Sequence, residues 1–214
     1  LLILSMLTFV FSVRQVRASG TIYIRADGTI EGTDKIQRDG DIYTFTDNIV
    51  IDLPMDHGIV VERSNIIIDG NGYTLQSAET GLFTDGFFLY HINNVTIKDT
   101  NIKNFFWCIN IASSNKTIVF GNNITTDGMG VQVYQSFNNT VLKNNITNCG
   151  DGIGLWQSSN NIISGNNITN SHTLGVGLND ASSFNIVSGN TVTNSVERGV
   201  WPQHSYYNLS LIHI

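Results

Sequence analysis

The chain has 214 residues, which is long enough for one domain with a sizeable core. Only 13% of the residues are charged, the net charge is −6, and lysine and arginine do not cluster, so a nucleic-acid-binding surface is not expected. Twenty glycines and two prolines, with many asparagines, threonines and serines, are typical of short strands joined by turns and argue against a helical fold.

The chain begins with an apolar run, LLILSMLTFVFSV, that has the length of a signal-peptide core. Val16 and Ala18 then place small residues where a cleavage site before Ser19 requires them. We therefore predict a signal peptide at residues 1–18. A core segment or a membrane anchor is the alternative, but the run is short for a membrane span, and no span is expected after removal of the signal. Because an initiator Met and a basic first segment are missing, we expect the sequence to start inside the gene product.

Residues 19–64 include the β-rich segments TIYIRADGTI and GDIYTFTDNI, which are out of phase with the repeat that follows. We interpret this region as an N-terminal cap, since the open end of a solenoid needs a polar cover. The chain ends in LSLIHI, which is apolar and unlike such a cap. We therefore expect the repeat region, residues 65–214, to be truncated at its C-terminal end.

The repeat is marked by an apolar residue after each Asn or Thr pair, at Ile102, Ile124, Ile146, Ile168 and Val192. Each unit of about 22 residues holds three short segments in which apolar residues alternate with others, which is the period of a β-strand. One unit cannot bury its apolar face alone, so each strand must pair in parallel with the same strand of the next coil. The sequence predicts an all-β protein, a right-handed parallel β-helix with three short strands per coil.

The repeat units, NNxI, xGNNIT and GIxL, resemble those of the secreted right-handed parallel β-helix repeat (PbH1) proteins grouped around NosD and the carbohydrate-binding and sugar-hydrolysis (CASH) domains. The resemblance covers most of residues 20–205 and implies this fold in a secreted or surface-displayed protein. Members of the group include polysaccharide lyases and hydrolases, surface adhesins, and NosD, which is implicated in assembling a copper centre. The resemblance therefore leaves several functions open.

Stacking places residues 22 to 24 positions apart in columns along the side of the coil. The asparagines of the NNIT segments form two of these columns, Asn101–Asn123–Asn145–Asn167 and Thr100–Asn122–Asn144–Asn166–Asn190. Asparagine tolerates left-handed backbone at tight corners, and its amide can bond to the coils on both sides. We expect these conspicuous asparagines to be structural.

Two other columns, on the outward side of the glycine-containing strand, combine aromatic rings with amides. Aromatic rings stack on the C–H face of a sugar, while amides hydrogen-bond its hydroxyl groups. The predicted ligand-binding residues are Gln132, Tyr134, Trp156, Asn179, Trp201 and Gln203. The alternative is that Tyr134 and Trp156 fold over a strand end and cover the rim of the core.

The turn before the glycine-containing strand varies in length and carries acidic residues, as functional loops on a rigid scaffold often do. If the protein is an enzyme, the predicted catalytic residues are Asp127, Asp151, His172 and Glu197. Asp127 and Asp151 lie one coil apart, which is compatible with the carboxylate spacing of glycosidases. The alternative is that all four are solvated turn residues. No two acids share a column in neighbouring coils, which argues against a calcium-dependent lyase.

The sequence predicts no metal site and no cofactor. The histidines show no ligand-like spacing and are His57, His91, His172, His204 and His213. Cys108 and Cys149 lie in different columns, so we expect two small buried thiols and no disulfide. A copper-chaperone role would need a cluster of Met and His residues, and the chain has three Met in all.

These features favour a secreted, periplasmic or cell-surface protein that binds extracellular polysaccharide or a cell-surface glycan. We expect a monomer. The alternatives are a glycoside hydrolase or polysaccharide lyase, a structural or adhesive repeat stalk, and a NosD-like accessory protein for copper-site assembly.

Overall fold

The computed structural model describes residues 20–52, 57–78 and 84–213, so the predicted signal peptide lies outside the described residues. All the secondary-structure elements within these ranges are β-strands, which confirms the all-β prediction. The strands, in chain order, are β1 (Ile22–Ile24), β2 (Ile30–Glu31), β3 (Ile36–Asp39), β4 (Ile42–Phe45), β5 (Ile49–Ile51), β6 (His57–Val61), β7 (Ile66–Asp69), β8 (Thr74–Ser77), β9 (Asp85–Tyr90), β10 (Val95–Lys98), β11 (Asn101–Lys103), β12 (Trp107–Ala112), β13 (Ile118–Phe120), β14 (Asn123–Thr125), β15 (Met129–Tyr134), β16 (Thr140–Leu142), β17 (Asn145–Thr147), β18 (Asp151–Trp156), β19 (Ile162–Ser164), β20 (Asn167–Thr169), β21 (Leu174–Asn179), β22 (Ile186–Thr193), β23 (Arg198–Pro202) and β24 (Leu209–His213).

The strands stack on three sides of a coil. The first side, which we call the front sheet, has the order β2-β1-β6-β9-β12-β15-β18-β21-β23. The second side carries β4, β7, β10, β13, β16 and β19, and the third carries β5, β8, β11, β14, β17 and β20. The long strand β22 turns from the second side to the third and so joins them into one sheet. Between the described coils of the repeat the strands pair in parallel, as β15 does with β18, and the fold is the predicted right-handed parallel β-helix.

The N-terminal end is less regular than the repeats. Strands β1 and β2 pair antiparallel, and so do β3 and β4. Strand β6 lies within the region interpreted as a cap, yet it already pairs in parallel with β9. Within the described ranges, no helix is long and apolar enough to cross a membrane.

The core is a set of columns of aliphatic side chains inside the coil. The residues that mark the repeat, Ile102, Ile124, Ile146 and Ile168, are fully buried and pair directly from coil to coil. Full burial of such a side chain stabilises the fold by about 1.5 to 3 kcal/mol. The alternation seen in the sequence is therefore the alternation of strands with one face turned inward.

Glycines in the front sheet allow the coils to approach closely. A Cβ atom on Gly152 would lie 2.5 Å from the carbonyl oxygen of Gly175 in the next coil. Gly152 and the following residue, Ile153, are both buried, whereas Asp151 and Trp156 are half-buried on the outer side. Because Gly152 and Ile153 both point inward, the alternation of inward and outward side chains shifts by one residue at this point of the strand. Cys108 takes the corresponding position in β12.

Amide groups link the coils at an interior corner. The side-chain nitrogen of Asn122 donates to the Asn144 Oδ1 at 3.0 Å, and Asn144 donates in turn to Asn166 at 3.0 Å. The backbone N–H of Asn122 also donates to the Asn144 Oδ1 at 2.9 Å. These amides are about 1% exposed, so each one satisfies backbone groups that water cannot reach.

Two further corners use the same device. At one, the N–H of Asn139 donates to the side-chain oxygen of Asn161 at 2.8 Å, and Asn161 bonds Asn185 likewise. At the other, the N–H of Ser136 donates to the Ser158 hydroxyl at 3.1 Å. Both columns repeat with the same period as the NNIT columns, although they were not among the predicted structural columns.

Candidate functional site

The candidate site is the outward side of the front sheet, which we call the front face. Parallel register places its side chains in three columns. The first column holds His57, Asp85, Trp107, Met129 and Asp151; the second holds Phe88, Asn110, Gln132, Gly154, Gly177 and Trp201; the third holds Tyr90, Ala112, Tyr134, Trp156 and Asn179.

The predicted ligand-binding residues lie on this face. Gln132 aligns with Gly154, which aligns through Gly177 with Trp201. Tyr134 pairs with Trp156, and Trp156 with Asn179, which is only 7% exposed. Gln203 follows the end of β23, where its N–H donates to the Leu178 carbonyl at 2.7 Å. The register therefore groups these side chains, while their role in binding stays a prediction.

Trp156 lies over the glycine that precedes it by two positions. A Cβ atom on Gly154 would lie 2.3 Å and 2.4 Å from the ring atoms Cζ3 and Cη2 of Trp156, and 3.2 Å from the Met129 Sδ. The indole thus covers the glycine backbone on the front face and has Met129 beside it. Since Trp156 is half-buried, part of its ring remains exposed next to Tyr134.

Trp201 provides a second aromatic group, near the C-terminal end of the front face. The guanidinium carbon of Arg198 lies 4.6 Å from the centroid of the Trp201 ring, within the range of a cation–π contact. In the backbone register of β21 and β23, Arg198 lies opposite Leu174, where both strands begin. The front face therefore has aromatic groups at both Trp156 and Trp201, separated by the Gly177 position.

The predicted catalytic residues have different surroundings. Asp151 begins β18, and its Oδ1 accepts hydrogen bonds from the Thr173 hydroxyl and from the Leu174 N–H, the latter at 3.1 Å. Asp127, His172 and Glu197 are exposed residues of the turns. Asp151 alone among the four belongs to the front face, and their proposed catalytic role is still a prediction.

The structure brings together one polar cluster that sequence reasoning missed. His57 and Asp85 begin neighbouring strands, β6 and β9, and the His57 Nδ1 lies 2.5 Å from the Asp85 Oδ2. The Asn110 side-chain nitrogen donates to the other oxygen, Oδ1, at 2.9 Å. Both His57 and Asp85 directly precede a glycine, as Asp151 does. This position before a glycine was the sequence signal that could have placed them in one column. However, His57 and Asp85 are 28 positions apart, which differs from the 22-residue repeat.

The two cysteines are buried, as expected, and both are free thiols in the structure. Burial raises the pKa of the Cys108 thiol to about 12. Burial also raises the pKa of Cys149, whose sulfur lies 3.5 Å from the Ser171 hydroxyl. Both thiols therefore stay protonated near neutral pH and act as small apolar groups in the core.

Several solved structures resemble this chain. The catalytic domain of Agl-KA has a TM-score of 0.52 and 16% identity, with 80% of this chain and 38% of that chain covered. The periplasmic alginate epimerase AlgG has a TM-score of 0.41 and 14% identity, with 78% and 51% covered. A hyperthermoactive exopolygalacturonase from Thermotoga maritima has a TM-score of 0.42 and 10% identity, with 75% and 56% covered.

At these identities the similarity concerns the fold alone. This chain also spans only 38% to 56% of the length of those three structures. A comparison with curated protein sequences found no match.

One family model does match the sequence, and it extends over residues 19–210, well over half of the chain. The family is described as periplasmic copper-binding protein (NosD). Its periplasmic location agrees with the predicted location outside the cytoplasm, and the match confirms the resemblance found in the repeat units. The chain therefore belongs to the NosD family.

Proposed function

We propose that this protein binds a polysaccharide along its front face. The observation that carries the proposal is the position of Trp156, whose indole lies over Gly154 with Tyr134 in the same column. An aromatic ring that rests on a glycine floor forms a flat apolar surface at the protein–solvent boundary. Such a surface suits the apolar face of a sugar ring.

The neighbouring amides add polar contacts to this surface. Gln132 aligns with Gly154, so its side chain lies next to the position covered by Trp156. The Gln132 Oε1 is buried, and among the described residues it has no hydrogen-bond partner. The interior amides differ, because Asn144 bonds the coils on both sides. The Gln132 oxygen is therefore not committed to holding the coils together, and a hydroxyl group of a bound sugar would supply the donor that it lacks.

The proposal is tested by binding to a panel of polysaccharides with wild-type protein and Trp156→Ala. Loss of the indole is expected to weaken binding about tenfold or more, which corresponds to about 1.4 kcal/mol. Phe137→Ala is a matched control, because Phe137 is an exposed aromatic residue at a corner outside the front face. Equal binding by wild type and Trp156→Ala, or binding of no polysaccharide, would contradict the proposal.

The same incubations distinguish an enzyme from a binding protein. Release of reducing ends or of unsaturated products would favour a hydrolase or lyase. If that activity were lost in Asp127→Ala/Asp151→Ala, the turn carboxylates would be assigned to it; if it persisted, they would be excluded. A folded protein that neither binds nor cleaves any polysaccharide would favour the structural stalk.

The family description makes copper a second candidate ligand. Copper sites in proteins are built from Cys, Met and His side chains, with carboxylates in some cases. Within residues 20–52, 57–78 and 84–213, no group of three or more His, Cys, Asp or Glu side chains is placed to hold a metal ion. Both thiols are buried with raised pKa values, and Met129 lies beside Trp156. The described donor groups therefore do not fit a copper site.

Competition for copper(I) against a coloured chelator tests this second candidate. We expect no stoichiometric transfer of copper(I) to the folded protein. Transfer of one equivalent, retained in Trp156→Ala, would favour a copper-handling function over polysaccharide binding.

A further inference from the structure

The cluster formed by His57, Asp85 and Asn110 is a built feature of the front face. The Asp85 residue is only 4% exposed, and its two carboxylate oxygens receive the His57 Nδ1 and the Asn110 side-chain nitrogen. A carboxylate accepts hydrogen bonds and does not donate them, so Nδ1 of His57 carries the hydrogen. The imidazole is thereby held in one tautomer.

Stacking holds the same imidazole from a second direction. The rings of His57 and Phe88 are parallel within 3°, and their centroids lie 4.0 Å apart. Phe88 in turn lies parallel to Tyr90, with centroids 6.1 Å apart. The side chain of His57 is 34% exposed and Tyr90 is 53% exposed. A polar group of fixed orientation therefore lies beside an exposed aromatic ring.

The β-helix fold does not require a carboxylate at this position of the coil. Burying a carboxylate costs free energy even when it is hydrogen-bonded. The positions that align with Asp85 in the following coils hold Trp107 and Met129, so the same place in the coil accepts an uncharged side chain. The cost of Asp85 is explained if the residue positions His57 and Asn110 for a ligand.

We propose that this cluster and Tyr90 form a second saccharide subsite, so that the ligand is an extended chain lying along the axis of the β-helix. The inference rests on the proposed polysaccharide binding by the same face. Tyr90 and Trp156 share the third column and are separated by three strand spacings of about 4.8 Å, or about 14 Å in all. Tyr90 supplies stacking, and His57 and Asn110 supply the polar groups.

The subsite makes a prediction about ligand length. With an oligosaccharide series from a polymer that the wild type binds, affinity should rise until the chain spans both Trp156 and Tyr90. Tyr90→Ala should lower the affinity for the long oligosaccharides about tenfold and leave that of the short ones unchanged. Trp156→Ala should weaken binding at every length. Lys103→Ala, an exposed residue of another side of the coil, is the control.

A second measurement is independent of any substitution. The imidazole nitrogen resonances of His57 in the wild type should shift when a long oligosaccharide binds and stay unchanged with a short one. If Tyr90→Ala binds all lengths like the wild type and the His57 resonances do not move, the subsite is excluded, while weakened binding by Trp156→Ala would still support the proposed function. If no polymer binds, both inferences are overturned.

Discussion

The interior corner and the front face are two parts of the same coil with opposite patterns of side chains. At the corner, Asn144 and Asn166 are chemically identical and hydrogen-bonded to each other. On the front face, the aligned positions hold Asp85, Trp107 and Met129. A continuous column of hydrogen-bonded interior amides requires the same side chain in each coil, whereas side chains that face solvent can differ. In a repeat protein, departures from the repeat thus indicate where function is to be sought.

Replacing an interior amide should have the largest effect. Asn144→Ala removes the acceptor for the N–H and amide of Asn122 and the donor to Asn166 and to the Val119 carbonyl. Several buried polar groups then lose their partners, and the free energy of unfolding should fall by about 3 to 4 kcal/mol. Urea denaturation monitored by circular dichroism measures the change.

The matched control is Asn123→Ala in the adjacent, outward column. Asn123 is exposed: its side-chain nitrogen donates to the Asn101 Oδ1 at 3.2 Å, and its Oδ1 accepts from the Asn145 side-chain nitrogen at 2.8 Å. Water can replace both partners. Loss of this side chain should cost less than about 1 kcal/mol. Similar losses for the two variants would mean that burial of the interior amide does not set its contribution.

Cys108 interrupts the glycine column behind the front face, and its burial predicts an effect of pH. The ordinary pKa of the thiol is near 9, and burial raises it to about 12 in the folded protein. Between these values the unfolded state loses the proton while the folded state retains it. The stability is therefore fully present below about pH 9 and should fall as pH rises, by up to about 1.4 kcal/mol per pH unit.

The comparison of wild type with Cys108→Ala isolates this effect from the titration of other groups. Unfolding free energies measured at pH 8, 9.5 and 10.5 should fall more steeply for the wild type. Parallel curves for the two proteins would show that the thiol ionises equally in both states.

On the front face, Gly154→Ala should affect ligand binding more than stability. The new Cβ would collide with the ring of Trp156, which is a movable side chain and not backbone. The indole must tilt away from the sheet, so polysaccharide binding should weaken about tenfold, with a stability change below about 1 kcal/mol. Unchanged affinity would indicate that polysaccharide binding does not depend on the orientation of the Trp156 ring over Gly154.

The smallest effect is expected at a partly buried ion-pair contact between coils. Lys98 forms ion pairs with Asp69 and Asp99 on the second side of the coil, and the latter pair measures 3.0 Å. Surface pairs of this kind are screened by salt, so Lys98→Met should change the free energy of unfolding by less than about 1 kcal/mol. Thermal unfolding at low and high salt measures this change in stability. A larger loss of stability would show that contacts between coils are also important outside the interior.

The sequence was sufficient to predict the coil and the alignment of Tyr134 with Trp156, because alternation fixes the side of a strand and a constant period fixes the register. It was not sufficient to predict the cluster of His57 and Asp85. A contact between these residues depends on pairing of β6 with β9 across a longer connection. The position of the Trp156 ring over Gly154 was also beyond prediction, since side-chain rotation depends on packing and not on period.

The interior amide column has a consequence for how the chain finds its register. The Asn144 side chain bonds Asn122 on one side and Asn166 on the other. A slip by one whole coil would replace each partner with an identical one, so these bonds do not distinguish the native alignment from a shifted one. The native register is distinguished from a shifted one by the features that differ between coils. Examples are Cys108 in the column of glycines and the longer step between Ile168 and Val192. The residues that depart from the repeat therefore make the native register of the coils more stable than a register shifted by one coil.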